Sequence, residues 1–209
     1  MKGSYSEVQS MRELLFVALC AFSGSLTIAH AQTAIDLTGR WRTVETSKGG
    51  IGVMYDFMQD GTARVSPGAI LPMAYRLDGS SLTIDPDGPS FTLQWSGEDK
   101  VKLAVGENCC DDYNRIGTRI DAANPLFGEW GGERSMGGHV VSVRWIFRAD
   151  ASALMTIRFS TTEGHYEVRD GRLDATFGGE SQFTGSLSFA NGILSVDRGS
   201  GRITKLQRY

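Results

Sequence analysis

The sequence lacks most of the features that mark enzymes, nucleic-acid-binding proteins and membrane-spanning helices. His139 and His165 are the only histidines after the first 31 residues, and neither lies in a recognisable nucleophile or metal-binding motif. The formal net charge is −3, so no basic field is present to attract nucleic acid. The longest apolar run has about nine residues, whereas a membrane-spanning helix needs about 20. We therefore expect no enzymatic activity, no cofactor, no nucleic-acid partner and no transmembrane segment.

The first 31 residues are predicted to be a secretory signal peptide. Arg12 precedes the apolar run, which begins at Leu14, and the run is followed by Ala29-His30-Ala31, a small-x-small sequence of the kind that signal peptidases cleave. Met11 is a possible alternative start. The other interpretations are a buried N-terminal helix and a lipoprotein anchor at Cys20. The signal-peptide interpretation predicts a periplasmic or secreted protein.

Cysteine is scarce once the signal peptide is removed. Only the adjacent Cys109 and Cys110 remain, so a framework of several disulfides is excluded. An intermolecular disulfide, or a soft-metal or redox site with Asp111 and Asp112, is an alternative. However, zinc sites usually place two or more residues between cysteines. We predict a disulfide between Cys109 and Cys110 and no bound metal, because an exported protein meets an oxidising compartment.

The rest of the chain is predicted to be two tandem copies of one unit of about 85 residues. Landmarks of the first copy return at offsets of 87 to 91 residues. The matching segments are Gly39-Arg40-Trp41 with Gly128-Glu129-Trp130, Tyr55-Asp56-Phe57 with Trp145-Ile146-Phe147, Tyr75 with Tyr166, Leu103-Ala104-Val105 with Leu194-Ser195-Val196, and Arg115-Ile116 with Arg202-Ile203. We place the copies at residues 36–120 and 126–209, joined by a short polar link.

The residue pattern of both copies predicts an all-β fold. Apolar and polar residues alternate with a period of two, as in Val141, Val143 and Trp145, so each segment has an inner and an outer face. Dipeptides such as Asp170-Gly171 and Asn191-Gly192 separate the segments and favour hairpin turns. Seven or eight short strands per copy would form an antiparallel up-and-down meander, which buries its apolar face by closing into a barrel. Two small barrels are favoured over one large one.

Each copy resembles the lipocalin-like (calycin) β-barrel domains of exported bacterial proteins. The segments that carry the resemblance are Leu37-Thr38-Gly39-Arg40-Trp41, the run from Tyr55 to Thr62, Tyr75-Arg76-Leu77-Asp78-Gly79 and Asn114-Arg115-Ile116. In that family a tryptophan of the first strand packs across the closed end of the barrel, beneath an arginine of the last strand. The resemblance therefore implies that Trp41 pairs with Arg115 and that Trp130 pairs with Arg202.

Features present in only one copy are the better candidates for function. Ala69-Ile70-Leu71-Pro72-Met73 is apolar where the second copy has a polar segment, which predicts a loop that touches a hydrophobic ligand at a barrel mouth or folds over its own core. Gly131-Gly132 and Gly137-Gly138 flank Met136 in a hairpin that could form a lid. We predict ligand contacts from Ile70, Leu71, Met73 and Met136.

The predicted function is binding rather than catalysis. The favoured hypothesis is a monomeric exported protein that binds a small apolar or amphipathic ligand at a barrel mouth. The alternative is an envelope protein-interaction or inhibitor-like module that acts through its surface. Arg144, Arg148 and Arg158 are predicted to share one outward face, where they attract an anionic partner or are simply solvated.

Overall fold

The computed structural model describes residues 35–85, 88–106, 110–121 and 123–209, so the predicted signal peptide lies outside the described residues. The described residues form 15 β-strands and no helix, which confirms the all-β prediction. The strands are β1 Gly39–Thr43, β2 Ile51–Phe57, β3 Thr62–Asp78, β4 Ser81–Asp85, β5 Ser90–Trp95, β6 Lys100–Ala104, β7 Cys110–Ile116, β8 Gly128–Met136, β9 His139–Phe147, β10 Ser152–Arg158, β11 Thr162–Arg169, β12 Arg172–Phe177, β13 Ser181–Ala190, β14 Ile193–Asp197 and β15 Ile203–Arg208. Within these ranges no helix could span a membrane.

The turns form where the sequence supplies residues that tolerate positive φ. Asp170 and Gly171 have φ of 50° and 70° between β11 and β12, and Asn191 and Gly192 have φ of 53° and 76° between β13 and β14. Two successive positive φ values are typical of type I′ turns, whose twist matches that of the flanking strands. These dipeptides therefore form the hairpins that the sequence predicts.

All the strands belong to one antiparallel sheet, whose hydrogen-bonded pairings close into two rings that share β3. The first ring contains β1, β2, β3 and β11 to β15, and the second ring contains β3 to β10. The 17-residue β3 serves both rings: its residues 63–69 pair with β2 and 62–65 with β11, whereas its residues 68–74 pair with β10 and 74–78 with β4.

The prediction of two tandem barrels, one for each sequence copy, is not confirmed. Each ring combines strands of both copies: β1 and β2 close with β11 to β15, and β8 to β10 close with β4 to β7. The physical reason is that the chain does not turn within β3. The segment Ala69–Met73, predicted to be a loop, is part of this strand, and it contains no Asp-Gly or Asn-Gly dipeptide that would favour a reversal. The copies therefore exchange strands.

A glycine permits the close approach of the strands at this crossing. Gly68 pairs with Arg158 of β10, and a Cβ atom on Gly68 would lie 1.9 Å from the carbonyl oxygen of Ile157. Any larger residue would push β10 away from β3. Gly68 therefore allows β3 to continue from the first ring into the second.

Three clusters of buried apolar side chains hold the sheet together. The first ring encloses one cluster, the second ring encloses another, and a small third cluster joins the rings. The third cluster consists of Met54 of β2, Ile70 of β3 and Leu154 of β10, and we call the region around it the junction. Ile70 is 1% exposed there, so it packs between the rings and does not line a mouth.

One end of each ring is closed by the same arrangement of tryptophan and arginine. Trp41 Nε1 donates to the carbonyl oxygen of Leu37 at 2.7 Å, and Trp130 Nε1 donates to that of Leu126 at 2.8 Å. The arginine partners differ from those that the resemblance implies. The guanidinium of Arg208 lies 4.7 Å from the ring centre of Trp41, and that of Arg115 lies 4.2 Å from Trp130.

The strand exchange explains this correction. Arg115 lies on β7, which pairs with β8 in the second ring, so its partner is Trp130 and not Trp41. In the first ring, Trp41 pairs with Arg208 of β15. Arg202, the expected partner of Trp130, is exposed just before β15. The structural equivalent of Arg115 is thus Arg208, six residues later than the sequence repeat indicates.

Candidate functional site

The structure brings together two of the four side chains predicted to bind a ligand. Leu71 and Met73 lie two residues apart on β3, are partly exposed and pack against the core of the second ring. Ile70 points the other way, into the junction. Met136 is 41% exposed at the tip of the β8–β9 hairpin. Trp130 is in register with Leu71 through the paired residues of β9 and β10. Met136 lies six residues beyond Trp130, about 20 Å along the strand, so it does not join Leu71 and Met73.

A row of three inward side chains crosses the second ring at Met155. Met155 of β10 pairs with Leu71 on one side and with Trp145 of β9 on the other. Its outward neighbours Leu154 and Thr156 are each 2% exposed, yet Met155 itself is partly exposed. Because β10 is paired along both edges, the accessible part of Met155 faces the interior of the ring. Solvent therefore reaches apolar side chains inside the second ring.

Trp145 carries a buried indole N–H that makes no hydrogen bond of normal geometry in the described part of the chain. Its side chain is 4% exposed, and its Nε1 atom is buried without a hydrogen-bond partner among the residues that the structure describes. By contrast, the indole N–H groups of Trp41 and Trp130 both donate to carbonyl oxygens. A buried donor without an acceptor costs about 1 to 3 kcal/mol, so most proteins provide a partner. The Tyr113 hydroxyl lies nearby, but the Trp145 N–H does not form a hydrogen bond of normal geometry with its oxygen.

Polar groups continue from Trp145 towards the solvent. Tyr113 is 4% exposed, and its burial raises the pKa of its hydroxyl to about 12, although the nearby Trp145 N–H opposes this shift. The Tyr113 hydroxyl donates to Asp111 Oδ2 over a long 3.5 Å, and Arg134 Nε lies 3.4 Å from the same oxygen. The Arg134 side chain is 43% exposed. A hydroxyl and an ion pair thus connect the interior to the ring's rim.

The cysteine pair can be placed only in part. Cys110 is exposed at the start of β7, where it pairs with Ala104, and Cys109 lies outside the described residues. The disulfide therefore stays a prediction. Cys110, Asp111 and Asp112 border a groove of about 630 Å³ on the outer face of β7 to β9. Within the described ranges, no group of three histidine, cysteine, aspartate or glutamate side chains could hold a metal ion.

The three arginines predicted to share an outward face have different surroundings. Arg158 donates to both oxygens of Asp56 at 2.6 and 2.8 Å, and Arg144 Nη1 lies 2.6 Å from Glu129 Oε1. Burial disfavours the charge of Arg158, but the hydrogen bonds of Asp56 outweigh it and raise the pKa of Arg158. Arg148 is exposed. Two of the three charges are therefore neutralised by carboxylates whose role the sequence pattern did not indicate.

Trp145 is the functional candidate that the sequence interpretation missed. The repeat aligns Trp145 with Tyr55, so a change of aromatic residue between the copies marked this position. The same offset aligns Met155 with Val65.

Comparison of the chain with protein-family models, curated proteins and solved structures finds no match. The assignment of a function therefore depends on the geometry of the site.

Proposed function

We propose that this chain is an exported, monomeric, non-enzymatic protein that binds a small amphipathic molecule inside the second ring. In this proposal each ring works as a small lipocalin-like barrel, and the ligand enters the second one. The observation that carries the proposal is the unpartnered Trp145 N–H beside the solvent-accessible Met155. Buried polar groups left unpaired are expected at sites where a ligand completes the hydrogen bonding.

The apolar part of the ligand would contact Met155, Leu71 and Met73. All three are partly exposed, so covering them with a hydrocarbon chain removes apolar surface from water. Each buried methylene contributes about 0.8 kcal/mol. Methionine is unbranched and polarisable, and it adapts to ligands of different shape. This surface favours a flexible chain over a rigid polar ligand.

The polar part of the ligand would be an acceptor oxygen. It would accept a hydrogen bond from Trp145 Nε1, close to the Tyr113 hydroxyl. A carbonyl, hydroxyl or carboxylate oxygen has the required chemistry. Arg134, at the end of the polar series, is paired with Asp111, so the rim adds no net charge that would select one of these groups. The ligand class is thus an alcohol, ester or acid with a short apolar chain.

Calorimetric titration of the mature protein with 1-decanol and decanoate tests the proposal. We expect both probes to bind and Trp145→Phe to weaken binding by about tenfold, since the variant keeps the ring and deletes only the donor. Tyr55→Phe is the matched control, because it alters the equivalent position of the first ring and should leave the affinity unchanged. Binding of neither probe, or equal affinity in the wild type and Trp145→Phe, would contradict the proposal.

A second candidate function, interaction with an envelope protein, is favoured by the β8–β9 hairpin. Met136 and Val140 are 41% and 69% exposed on either side of Gly137-Gly138. Exposed apolar side chains at one tip are suited to a protein contact. Affinity capture from envelope extracts should enrich a protein with the wild-type chain and lose it with Met136→Ser/Val140→Ser. Identical capture by both chains would argue against this candidate.

A further inference from the structure

The backbone pairing between β7 and β8 ends before either strand does. The last registered pair is Tyr113 with Gly132, although β7 begins three residues before Tyr113 and β8 continues four residues beyond Gly132. Residues 110–112 of β7 therefore face residues 133–136 of β8 without a registered pair. We call this stretch the seam. It interrupts the hydrogen-bonded wall of the second ring.

The β8–β9 hairpin extends past both of its neighbouring strands. The pairing with β7 ends at Gly132 and the pairing with β10 ends at Ser142, so beyond these residues the registered pairs lie within the hairpin, as in Arg134 with Val141. A two-stranded ribbon is only marginally stable in water, and elements with few partners open at a low free energy. The projecting end of the hairpin is therefore the part of the wall that is easiest to displace.

The groove of about 630 Å³ on the outer face of β7 to β9 leads to the seam from outside. Asp111 and Asp112 border it on the β7 side, and Gly131, Gly132 and Glu133 border it on the β8 side. The two glycines have no side chain, so the wall of the ring consists there of backbone alone. The seam thus lies at the floor of a groove that is open to solvent.

The inner side of the seam lies next to the ligand site proposed in the second ring. Gly132 pairs with Tyr113 on one side and with Val143 on the other. Trp145 follows two residues after Val143, so it lies on the same face of β9, about 7 Å further along the strand. The Tyr113 hydroxyl is close to the Trp145 indole. A molecule that passes the seam therefore arrives beside the Trp145 N–H.

An ion pair spans the seam. Arg134 Nε lies 3.4 Å from Asp111 Oδ2, and the two side chains are 43% and 18% exposed. The Tyr113 hydroxyl donates to the same oxygen over 3.5 Å, which is long for a bond between two oxygens. A partly exposed ion pair adds little to stability, because water solvates both charges when the pair breaks. This pair can therefore hold the seam closed and still break readily.

We propose that the ligand enters the second ring through the seam and that the Arg134–Asp111 ion pair is the gate. Opening requires that this pair break and that the hairpin beyond Gly132 swing outward, since the ladder between β7 and β8 ends there. A gate of this kind changes the rates of binding and release together, because both pass through the same opening. The inference rests on the ligand site proposed at Trp145, so its test includes a measurement that needs no ligand.

Exchange of the Trp145 indole proton with solvent, followed by NMR in the ligand-free protein, tests the gate. Arg134→Gln and Asp111→Asn remove the ion pair from either side, and we expect exchange to be about threefold to fivefold faster in both. The Trp130 N–H, which donates to Leu126 at the closed end, reports global unfolding and should keep its rate. Unchanged exchange at Trp145 in either variant, or equal acceleration at Trp130, would overturn the gate.

Stopped-flow fluorescence with 1-decanol tests the route of entry. Arg134→Gln and Asp111→Asn should speed association and dissociation by the same factor and leave Kd unchanged, because the gate lies on the path and not in the site. Lys102→Gln is the matched control: Lys102 Nζ lies 3.9 Å from Asp112 Oδ1 between β6 and β7, where the strands are paired, so neither rate should change.

The outcomes separate the route from the ligand site. Wild-type rates in both gate variants, with 1-decanol bound, would overturn entry through the seam, and so would equal acceleration in Lys102→Gln. Failure of 1-decanol to bind at all would contradict the ligand site itself, and the exchange of the Trp145 proton would then decide on the gate.

Discussion

The two rings share one construction and differ at a pair of equivalent aromatic residues. In the first ring, Tyr55 stacks on Phe183 with ring centres 5.0 Å apart, and its strand neighbour is Val65. In the second ring, Trp145 stacks on Phe147 at 5.3 Å, and its strand neighbour is the partly exposed Met155. Among the described residues, this combination of a buried indole N–H without a hydrogen bond and a flexible, partly exposed neighbour is found in the second ring and not at the equivalent position of the first.

This difference distinguishes residues that stabilise both rings from a residue that is available to bind a ligand. At the closed ends, Trp41 and Trp130 make equivalent hydrogen bonds, as expected for a scaffold that both rings share. The interior at Trp145 leaves one hydrogen bond unmade, at a cost in stability. Natural proteins carry costs of this kind mainly at functional sites.

The largest expected effect is that of Trp130→Ala, which should destabilise the chain by about 3 to 5 kcal/mol through the loss of a buried aromatic side chain. Because both rings contain β3 and strands of both copies, we expect one cooperative unfolding transition in the wild type and in the variant. Calorimetry and circular dichroism would measure it. Two separate transitions, with the first ring unaffected, would show that the rings are independent units.

Next in size is the ion pair that joins the rings at the junction. Arg158 and Asp56 side chains are 17% and 14% exposed, so Arg158→Gln should cost about 2 kcal/mol by leaving Asp56 partly buried without its partner. The control is Arg64→Gln on the outer face, where Arg64 and Glu163 are 49% and 76% exposed and the pair should contribute less than about 1 kcal/mol. Urea unfolding of both variants measures the difference. Equal losses of unfolding free energy would contradict the stabilising role of the Arg158–Asp56 pair.

A smaller effect distinguishes two of the three indole donors of the second ring, those of Trp130 and Trp145. Trp130→Phe deletes a donor that binds Leu126, so it should cost about 1 kcal/mol for the hydrogen bond. Trp145→Phe deletes a donor without an acceptor, so the ligand-free protein should be unchanged or more stable. Comparison of the unfolding free energies of the two variants checks this. A greater loss for Trp145→Phe would mean that the Trp145 N–H already has a partner.

The smallest effect is a change in tyrosine ionisation. Burial raises the pKa of Tyr55 and of Tyr113 to about 12, above the ordinary value of 10. The folded state therefore keeps both protons where the unfolded state loses them, and stability present below pH 10 should fall as the pH rises from 10 to 12. Saturating 1-decanol should shift the ionisation of Tyr113, but not that of Tyr55, to higher pH. Absorbance titrations of Tyr55→Phe and Tyr113→Phe would separate the two signals. An equal delay for Tyr55 would contradict binding in the second ring.

The sequence allowed prediction of the strands and turns but not of the strand partners. Period-two alternation shows which side chains point inward, and dipeptides such as Asn191-Gly192 show where the chain reverses. Neither shows which strand lies beside which, because that depends on packing between distant segments. The length of β3 could not be anticipated, because the strand runs through Pro67-Gly68, a dipeptide that usually marks a turn. The exchange of strands, and with it the partners of Trp41 and Trp130, required the structure.

The candidate site was predictable to a similar extent. Leu71 and Met73 were identified because the first copy is apolar where the second copy is polar. Ile70 was assigned to the wrong face, since a segment interpreted as a loop has no defined alternation. Trp145 was not identified, because no sequence pattern reveals whether a buried N–H finds an acceptor. That property depends on the positions of backbone carbonyls contributed by several strands.

The central claim, that a ligand oxygen completes the hydrogen bonding of Trp145, is tested most directly by the indole N–H signals in a ¹⁵N-correlated NMR spectrum. The chain has four tryptophans, so four signals are expected from the wild type, and Trp145→Phe identifies the relevant one. On titration with 1-decanol we predict a downfield shift of the Trp145 signal, while the signals of Trp41 and Trp130 stay in place. An unchanged Trp145 signal at saturation would contradict the claim.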